Sequence, residues 1–381
     1  MSNGEDGWEG LQNRYFDVWK KANTPRDVSV VDVQELMKTE SHNLDPTLRR
    51  VAVIDCGTNT FNLRIVEFLK DVEPGYRPWK KIFSLRLPVR LGQGGIGRGV
   101  IRPDRLARGL DAIGIMREAI HNYVADEVYV IGTSALRDAS NSKIFTQEVF
   151  NRYGYQVMII SGSTEAELIQ TGLALTYTPE EGVNVLTLDI GGGSTECILW
   201  NNNQILWTRS FDVGVARLKE LFKMSGLFGE DAYEKMAPYL DDMLEPLLTA
   251  LINVKPSVLV GSSGSFDTFY HLTKLTKPDR KSSQKQNPHK SLRRVFHEAD
   301  QIDIARFNEL SKVIICNSLN DRLNMEGMPP DRADLIPYAA AIILWIEDKT
   351  DLQYFYGSKY AIREGLLYRL YQGDPAVPSY L

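Results

Sequence analysis

Two segments of the sequence carry the same pattern. Residues 51–60 read Val-Ala-Val-Ile-Asp-Cys-Gly-Thr-Asn-Thr, and residues 185–195 read Val-Leu-Thr-Leu-Asp-Ile-Gly-Gly-Gly-Ser-Thr. Each is a short apolar strand ending in aspartate, then a turn rich in glycine and hydroxyl side chains, then a second strand. One such hairpin is weak evidence, because glycine-rich turns often serve only to reverse the chain. Two of them, each in a mixed α/β segment, predict a duplicated domain.

The chemistry of both turns suits phosphate. Glycine lets the backbone approach a ligand closely, successive N–H groups can form an anion-binding nest, and the hydroxyls add donors. Asp55 and Asp189 would repel phosphate directly, so we interpret them as ligands of a hard cation that bridges to phosphate oxygens. The alternative for either aspartate alone is a turn-capping role. The predicted phosphate-binding residues of the turns are Gly57, Thr58, Asn59, Thr60, Gly191, Gly192, Gly193, Ser194 and Thr195.

Two other phosphate-binding folds are excluded by sequence context. A Walker A loop needs a Gly-Lys-Ser/Thr segment that opens a helix, and neither turn has that lysine. Residues 92–97 match the pattern G-x-G-x-x-G, but the next residues, Arg-Gly-Val-Ile-Arg-Pro, do not begin a helix. A Rossmann nucleotide site is therefore not expected there.

Composition restricts the function classes. The 381 residues suffice for about two domains, and the net charge of −5 argues against a global field for nucleic acid. The three cysteines are far apart, which argues against disulfides or zinc. The first ten residues do not resemble a signal peptide, and the apolar runs are too short to span a membrane. We expect a cytoplasmic protein with no nucleic-acid or membrane partner.

The remaining chain alternates predicted helices and strands. Helices are expected at 103–123, 138–153, 164–175, 214–222, 231–251 and near 361–371, and further strands at 128–131, 157–160, 204–211 and 258–260. Thr164 and Glu167 match a capping box. Residues 1–46 form an extension that is partly helical, since aromatic residues recur there at helical spacing.

Beyond these patterns, the sequence resembles the Ppx/GppA phosphatase family of the actin-like superfamily. The blocks that carry the resemblance follow the family order: Ala52–Leu63, Val89–Gly94, Thr133–Ala139, Ile160–Ile169, Leu188–Glu196, Gly214–Leu218, Gly261–Gly264, Pro330–Asp334 and Ile362–Leu366. The resemblance implies the short form of the family, an α/β fold with two ribonuclease-H-like (actin-like) domains that face each other across a cleft. It places domain I at 47–163, domain II at 164–356, and a C-terminal helix at 357–375 that returns to domain I.

The resemblance also assigns roles. Glu165 is implied as the catalytic base that activates water, whereas by position alone it would be an acid favouring the positive end of a helix. Glu196 joins Asp55 and Asp189 as a metal ligand for Mg²⁺ or Mn²⁺; its alternative is an exposed strand position. This chain departs from the family at residues 163–167, where one glutamate precedes the alanine and Glu167 replaces the usual arginine.

Two further sites are weighed against ordinary structural roles. Arg137 is expected to bind phosphate through its guanidinium, the alternative being an ion pair with Asp138. Gly264 and Ser265 belong to a third loop of small residues, which either contacts phosphates or a nucleoside or is only a tight strand-to-helix turn.

The implied activity is release of terminal phosphate from inorganic polyphosphate, with guanosine pentaphosphate (pppGpp) as a further candidate substrate. The alternatives are an ATP-dependent kinase for a small metabolite and a non-catalytic regulator that binds polyphosphate or nucleotide. A homodimer is left open. Residues 274–294 carry eight basic residues and one acid, and form either a solvated loop or one that steers polyanions.

Overall fold

The computed structural model describes residues 45–72, 77–202, 204–222, 230–275 and 299–374. Within these residues the chain divides into two compact units. Unit 1 contains the described residues up to 71, from 78 to 160, and 373–374. Unit 2 contains residues 72 and 77 and those from 161 to 372. The predicted helix near the N-terminus and the basic stretch 274–294 lie outside the described residues, except Lys274.

Unit 1 is a five-stranded sheet covered by helices. Its elements are the strands Arg50–Cys56 (β1), Phe61–Phe68 (β2), Trp79–Leu87 (β3), Glu127–Gly132 (β4) and Val157–Ile159 (β5), and the helices Pro103–Asn122 (α1), Ser134–Asp138 (α2) and Ser142–Tyr153 (α3). The strand order is β3-β2-β1-β4-β5. The central strand β1 reads as a continuous apolar run because its side chains are buried on both faces. Its core contacts include Ile113 and Met116 of α1.

Unit 2 is built on a six-stranded sheet of order β10-β11-β9-β6-β7-β8. Its strands are Val185–Ile190 (β6), Thr195–Asn201 (β7), Gln204–Phe211 (β8), Val258–Ser262 (β9), Ala299–Ile302 (β10) and Tyr354–Ser358 (β11). Its helices are Gly162–Leu173 (α4), Val215–Leu221 (α5), Glu230–Met243 (α6), Glu245–Val254 (α7), Gly264–Leu275 (α8), Ile304–Cys316 (α9), Leu319–Leu323 (α10), Ile336–Asp348 (α11) and Ile362–Gln372 (α12).

The two sheets share their topology. In unit 1 the antiparallel strands β1, β2 and β3 are extended by β4 and β5 parallel to β1. In unit 2 the antiparallel strands β6, β7 and β8 are extended by β9 and β11 parallel to β6. The predicted fold class, two α/β units of the ribonuclease-H-like type, is confirmed, and the repeated hairpin opens both sheets.

Two predicted helices differ from the structure, one in where it begins and one in being interrupted. The helix predicted over 138–153 begins only at Ser142, because Ala139 is extended and the Asn141 side chain pairs with both backbone groups of Ile101 at 2.8 Å. The helix predicted over 231–251 is interrupted at Leu244, two residues before Pro246. Proline cannot donate to the helical ladder and disfavours helical backbone in the residue before it.

The C-terminal helix α12 packs on α4 in unit 2. The predicted domain division, which groups residues 357–375 with the first domain, stays a prediction. The two helices meet at glycines, where their backbones touch: a Cβ added at Gly365 would lie 1.8 Å from the carbonyl oxygen of Leu168, and one added at Gly172 would lie 2.3 Å from that of Ala361. Glu167 of α4 also pairs with Arg369 of α12 at 3.3 Å, which gives this unusual glutamate a local structural partner.

Replacing Gly365 by alanine tests this contact. Alanine gains about 1 kcal/mol of helix propensity. The clash outweighs that gain, because backbone atoms cannot rotate away, and overpacking typically costs 1–3 kcal/mol or more. We expect Gly365→Ala to lower the free energy of unfolding by about 2 kcal/mol in urea titrations. Gly357→Ala is the control, since its added Cβ meets its nearest neighbour at an ordinary 3.7 Å. Equal stability of the two variants would contradict the prediction.

Candidate functional site

Four polar side chains form a row across the sheet of unit 2. Asp189 of β6 is paired with Glu196 of β7 on one side and with Ser262 of β9 on the other, and Glu196 is paired in turn with Ser210 of β8. Directly paired residues lie on the same face of a sheet, so all four share one face. Asp189, Glu196 and Ser262 are buried, with Glu196 only 1% exposed. The alternative that Glu196 is an exposed strand residue is therefore wrong.

This row reaches the start of α4. The Ser210 hydroxyl donates to Oε1 of Glu196 at 2.7 Å. A Cβ added at Gly162 would lie 2.6 Å from the Cβ of Ser210, so only glycine lets the first turn of α4 approach β8 this closely. Glu165 is in that first turn and is buried. The structure thus brings the start of the helix that carries Glu165 to a serine bonded to Glu196.

The cap of α4 differs from the prediction. Helix α4 begins two residues earlier than expected. The Ser161 side chain, rather than that of Thr164, caps it by accepting a hydrogen bond from the Thr164 amide at 3.1 Å. The backbone of Ser161 is extended, which is the usual conformation of a cap residue. Glu165 consequently lies where the positive end of the helix dipole favours a carboxylate.

The second hairpin turn is held from one side by α5. The Gly191 carbonyl accepts from the Val215 amide at 3.0 Å, and the Gly192 carbonyl accepts from the Ala216 amide at 2.8 Å. The Gly193 carbonyl accepts from Nε of Arg217 at 3.0 Å. In a trans peptide the next N–H points opposite to the carbonyl. The amides of residues 192–194 therefore point away from α5, as an anion-binding nest requires.

The first hairpin turn has the same construction in unit 1. Gly57 N donates to Thr60 O at 3.1 Å, just as Gly191 N donates to Ser194 O at 2.9 Å. The carbonyls of Thr58 and Asn59 accept from the amides of Gly92 and Arg90, at 3.1 and 2.7 Å. The segment 90–92 thus supports the first turn as α5 supports the second, and it directs the amides of residues 59 and 60 away from itself.

Asn62 is a candidate that the sequence analysis missed. It is paired with Asp55 across β1 and β2, and its side-chain amide donates to Oδ2 of Asp55 at 3.3 Å. Asn62 follows Asp55 by seven positions, as Glu196 follows Asp189. Superposing the two hairpin sequences would have identified it. The equivalent pair of positions holds two carboxylates in unit 2 and a carboxylate beside an amide in unit 1.

Arg137 occupies a short helix after β4. Its Nη1 donates to the Ile160 carbonyl at 3.2 Å, and its Nε lies 3.8 Å from Oδ1 of Asp138. The ion pair that was its alternative role is present, and a role in phosphate binding stays a prediction.

Gly264 and Ser265 open α8 after a strand-to-helix turn. Ser263 of this turn has φ of 80°, a strained value for serine, and its hydroxyl donates to the Ile190 carbonyl at 3.1 Å. The third loop is therefore tied to the residue before Gly191. A Cβ added at Gly264 would lie 1.5 Å from the Arg332 guanidinium, so a larger residue here would require that flexible side chain to move. Phosphate contact by Gly264 and Ser265 stays a prediction.

The carboxylates of Asp189 and Glu196 could hold a divalent cation. Two adjacent buried carboxylates repel each other unless a cation or a proton lies between them. Mg²⁺ in proteins is commonly held by one or two carboxylates, with water and substrate phosphates completing its shell, and Mn²⁺ also prefers oxygen ligands. Within the described parts of the chain, no group of three or more His, Cys, Asp or Glu side chains is placed to hold a metal ion.

With this geometry in place, the protein is a duplicated α/β chain of the actin-like type. It belongs to the Ppx/GppA phosphatase family, whose model matches residues 71–373. The matched range begins after the first hairpin, so the likeness of residues 55–62 to the second hairpin rests on the geometry described above. No described helix is both long and apolar enough to cross a membrane.

Individual relatives agree with the family. A candidate exopolyphosphatase of Haemophilus influenzae is 26% identical over 323 residues, covering 85% of this chain and 92% of its own. A guanosine-5'-triphosphate,3'-diphosphate pyrophosphatase of Vibrio cholerae is 25% identical over 84% of this chain but only 59% of its own length.

Solved structures agree as well. The crystal structure of an exopolyphosphatase from Cytophaga hutchinsonii has 31% identity and a TM-score of 0.76, covering 85% of this chain and 98% of the other. The Aquifex aeolicus PPX-GPPA enzyme has 21% identity and a TM-score of 0.64 over 84% of this chain and 99% of its own, which shows a shared fold.

The cysteines beside the two hairpins give a test of the packing. Burial raises the pKa of the Cys56 and Cys197 thiols, and the adjacent carboxylates of Asp55 and Glu196 raise each further. Cys316 is exposed. We expect only Cys316 to react rapidly with a thiol reagent at pH 8, and Cys56 and Cys197 to react only after unfolding. Cys316→Ser should remove the rapid reaction. A rapid reaction that persists in this variant would contradict the burial of Cys56 or of Cys197.

Proposed function

We propose that this protein hydrolyses the terminal phosphoanhydride bond of inorganic polyphosphate, and that pppGpp is a further substrate. The observation that carries the proposal is the buried pair Asp189 and Glu196 next to a turn whose amides are oriented for an anion. The names of the relatives, an exopolyphosphatase and a guanosine pentaphosphate pyrophosphatase, support the same reaction. The membership in a phosphatase family favours water over a second metabolite as the phosphate acceptor.

The turns bind the phosphate groups. Amides of residues 192–194 and the hydroxyl of Ser194 donate to phosphate oxygens in unit 2. In unit 1 the amides of Thr58, Asn59 and Thr60 and the hydroxyls of Thr58 and Thr60 do so. The carbonyls that would repel an anion are already engaged by α5 and by residues 90–92. Arg137, Gly264 and Ser265 are proposed as additional phosphate contacts. Thr195 has a structural role as well, because its hydroxyl donates to the Val213 carbonyl.

Asp189 and Glu196 would hold Mg²⁺ or Mn²⁺, which when bound neutralises charge that develops on the phosphate oxygens. Ser210 orients Glu196 for this role by donating to Oε1. Asp55 is proposed as a carboxylate ligand in unit 1, with Asn62 holding its Oδ2.

Glu165 is proposed to orient and deprotonate the attacking water. Water attacks the terminal phosphorus in line with the bridging oxygen, the proton passes to the Glu165 carboxylate, and the bond to the shortened chain breaks. The support for this role is the buried position of Glu165 in the first turn of α4, which is packed against Ser210.

The proposal is tested by incubating the purified protein with Mg²⁺ and polyphosphate, pppGpp or ATP while free phosphate is measured. Release from polyphosphate without any acceptor supports the hydrolase. Phosphate transfer that depends on an added metabolite would support a kinase. Tight binding without release would support a non-catalytic regulator.

Replacing the proposed base should abolish most turnover. Glu165→Gln keeps the shape of the side chain but removes the proton acceptor, so kcat should fall about 10²–10⁴-fold while polyphosphate binding persists. Glu167→Gln is a matched control on the same helix, because Glu167 is half exposed and pairs with Arg369. Initial rates of phosphate release decide the matter: a Glu165→Gln enzyme as active as the Glu167→Gln enzyme removes Glu165 from the mechanism.

Replacing a proposed metal ligand should change the metal requirement. Asp189→Asn should raise the Mg²⁺ concentration needed for half-maximal activity by about tenfold or more, because it removes a charged ligand. Asp348→Asn, which alters an exposed carboxylate of unit 2, should leave that concentration unchanged. Excess EDTA should abolish the activity of the unaltered protein. Full activity in EDTA would refute a metal-assisted reaction.

A further inference from the structure

Three arginines gather where α1 begins in unit 1. Nη2 of Arg98 donates to the Gly94 carbonyl at 2.7 Å. The Arg102 side chain lies over the same glycine, since a Cβ added at Gly94 would be 3.0 Å from Cδ of Arg102. Nε of Arg102 and Nε of Arg105 contact the two carboxylate oxygens of Asp104, at 3.0 and 3.3 Å. We name Arg98, Arg102 and Arg105 the arginine cluster.

The cluster concentrates positive charge on a protein whose net charge is −5. One carboxylate, Asp104, is shared by two of the arginines. The pKa of Arg105 is lowered by burial and by the like charges of Arg102 and Arg90, an effect that the attraction of Asp104 opposes. Arg90 is thus close enough to add to the positive potential.

The arginine cluster lies at a helix N-terminus, where basic side chains are unusual. Arg102 is the N-cap of a 20-residue helix and offers no side-chain acceptor there. The N-terminus of a helix is its positive end, where basic side chains are unfavourable and acidic ones are preferred. Violations of a local rule are expected mainly at functional sites. The same positive end would strengthen the attraction for an anion.

The cluster is joined to the first hairpin turn by a short loop. The Gly92 amide donates to the Thr58 carbonyl, and the Gly92 carbonyl accepts from the amides of Gly95 and Ile96 at 3.2 and 2.9 Å. Gly94, which both Arg98 and Arg102 contact, is two residues from Gly92, so their Cα atoms lie within about 8 Å. The arginine cluster is therefore held on the same loop that supports the first turn.

We propose that the arginine cluster is a subsite for the phosphate groups of a polyphosphate chain beyond the one that is cleaved, and that it gives the enzyme a preference for long chains. This deepens the proposed function and rests on it. The half-exposed guanidinium of Arg102, with 52% of its side chain accessible, and the exposed Arg98 bind phosphate oxygens, while Arg105 and Asp104 hold Arg102 in place. Guanidinium groups match phosphate oxygens in pairs.

The test combines binding with kinetics. The double variant Arg98→Gln/Arg102→Gln is compared with the unaltered protein and with Arg117→Gln. Arg117 is a half-exposed arginine that also pairs with a neighbouring acid, and it lies about 22 Å farther along the same helix.

The affinity for long-chain polyphosphate and for tripolyphosphate is measured calorimetrically without divalent metal, at several salt concentrations. KM is then measured for both with Mg²⁺. Thermal unfolding of each variant checks its folding, and Arg102→Lys checks the need for a guanidinium.

We expect the double variant to lose about tenfold or more of the long-over-short preference, both in affinity and in kcat/KM. Its affinity for the long chain should also depend less steeply on salt, because fewer phosphate charges are neutralised. The control should keep the preference. Equal preference in the double variant and the unaltered protein overturns the subsite, even if both hydrolyse polyphosphate. Loss of long-chain affinity in the double variant supports the subsite even if no hydrolysis occurs, in which case only the proposed function fails.

Discussion

One backbone hydrogen bond, made once in each unit, determines the rest of the candidate site. It joins the amide of the glycine two residues after the aspartate to the carbonyl three residues further on, in Gly57–Thr60 and Gly191–Ser194. This bond closes the hairpin and sets the strand register. Because strand side chains alternate between faces, a slip of one residue would move the following carboxylate or amide to the opposite face. The pairing of Asp189 with Glu196, and of Asp55 with Asn62, follows from it.

The backbone amides of the two hairpin turns have the same orientation, but a different neighbouring element holds each turn in place. In unit 2 the support is a helix start, whereas in unit 1 it is the irregular segment 90–92. Each support engages carbonyls that would otherwise face an anion. A glycine-rich turn alone does not orient its amides; the neighbouring element does. The close packing of Gly214 against Gly192, 2.5 Å from an added Cβ, leaves that support no room for a side chain.

Much of this architecture could be predicted from the sequence, and the failures have identifiable causes. Central strands were predictable because burial on both faces leaves continuous apolar runs. The edge strand β8 has its predicted bounds, 204–211. The break before α3 was not, because it depends on Asn141 meeting Ile101, forty residues away in the chain. The sequence could not show which residue caps α4, since Ser161 and Thr164 both have a hydroxyl that can accept the capping hydrogen bond. Of the candidate site, the acidic residues and turns were found, but Ser210 and Ser262 were not, because only sheet register aligns them with Asp189 and Glu196.

The contact between Gly172 and Gly365 has a consequence for biosynthesis. The α4 helix, which carries Glu165, leaves the ribosome almost two hundred residues before the helix it packs against. Domains generally fold as units while the chain is being made, and surfaces that wait for a partner are exposed to aggregation. Unit 1 up to Ile160 can complete its sheet and its core early in translation. The half that bears the proposed base cannot do so until its last helix has emerged, so the newly made chain is expected to pass through a state in which the first sheet is finished and the base has no settled position.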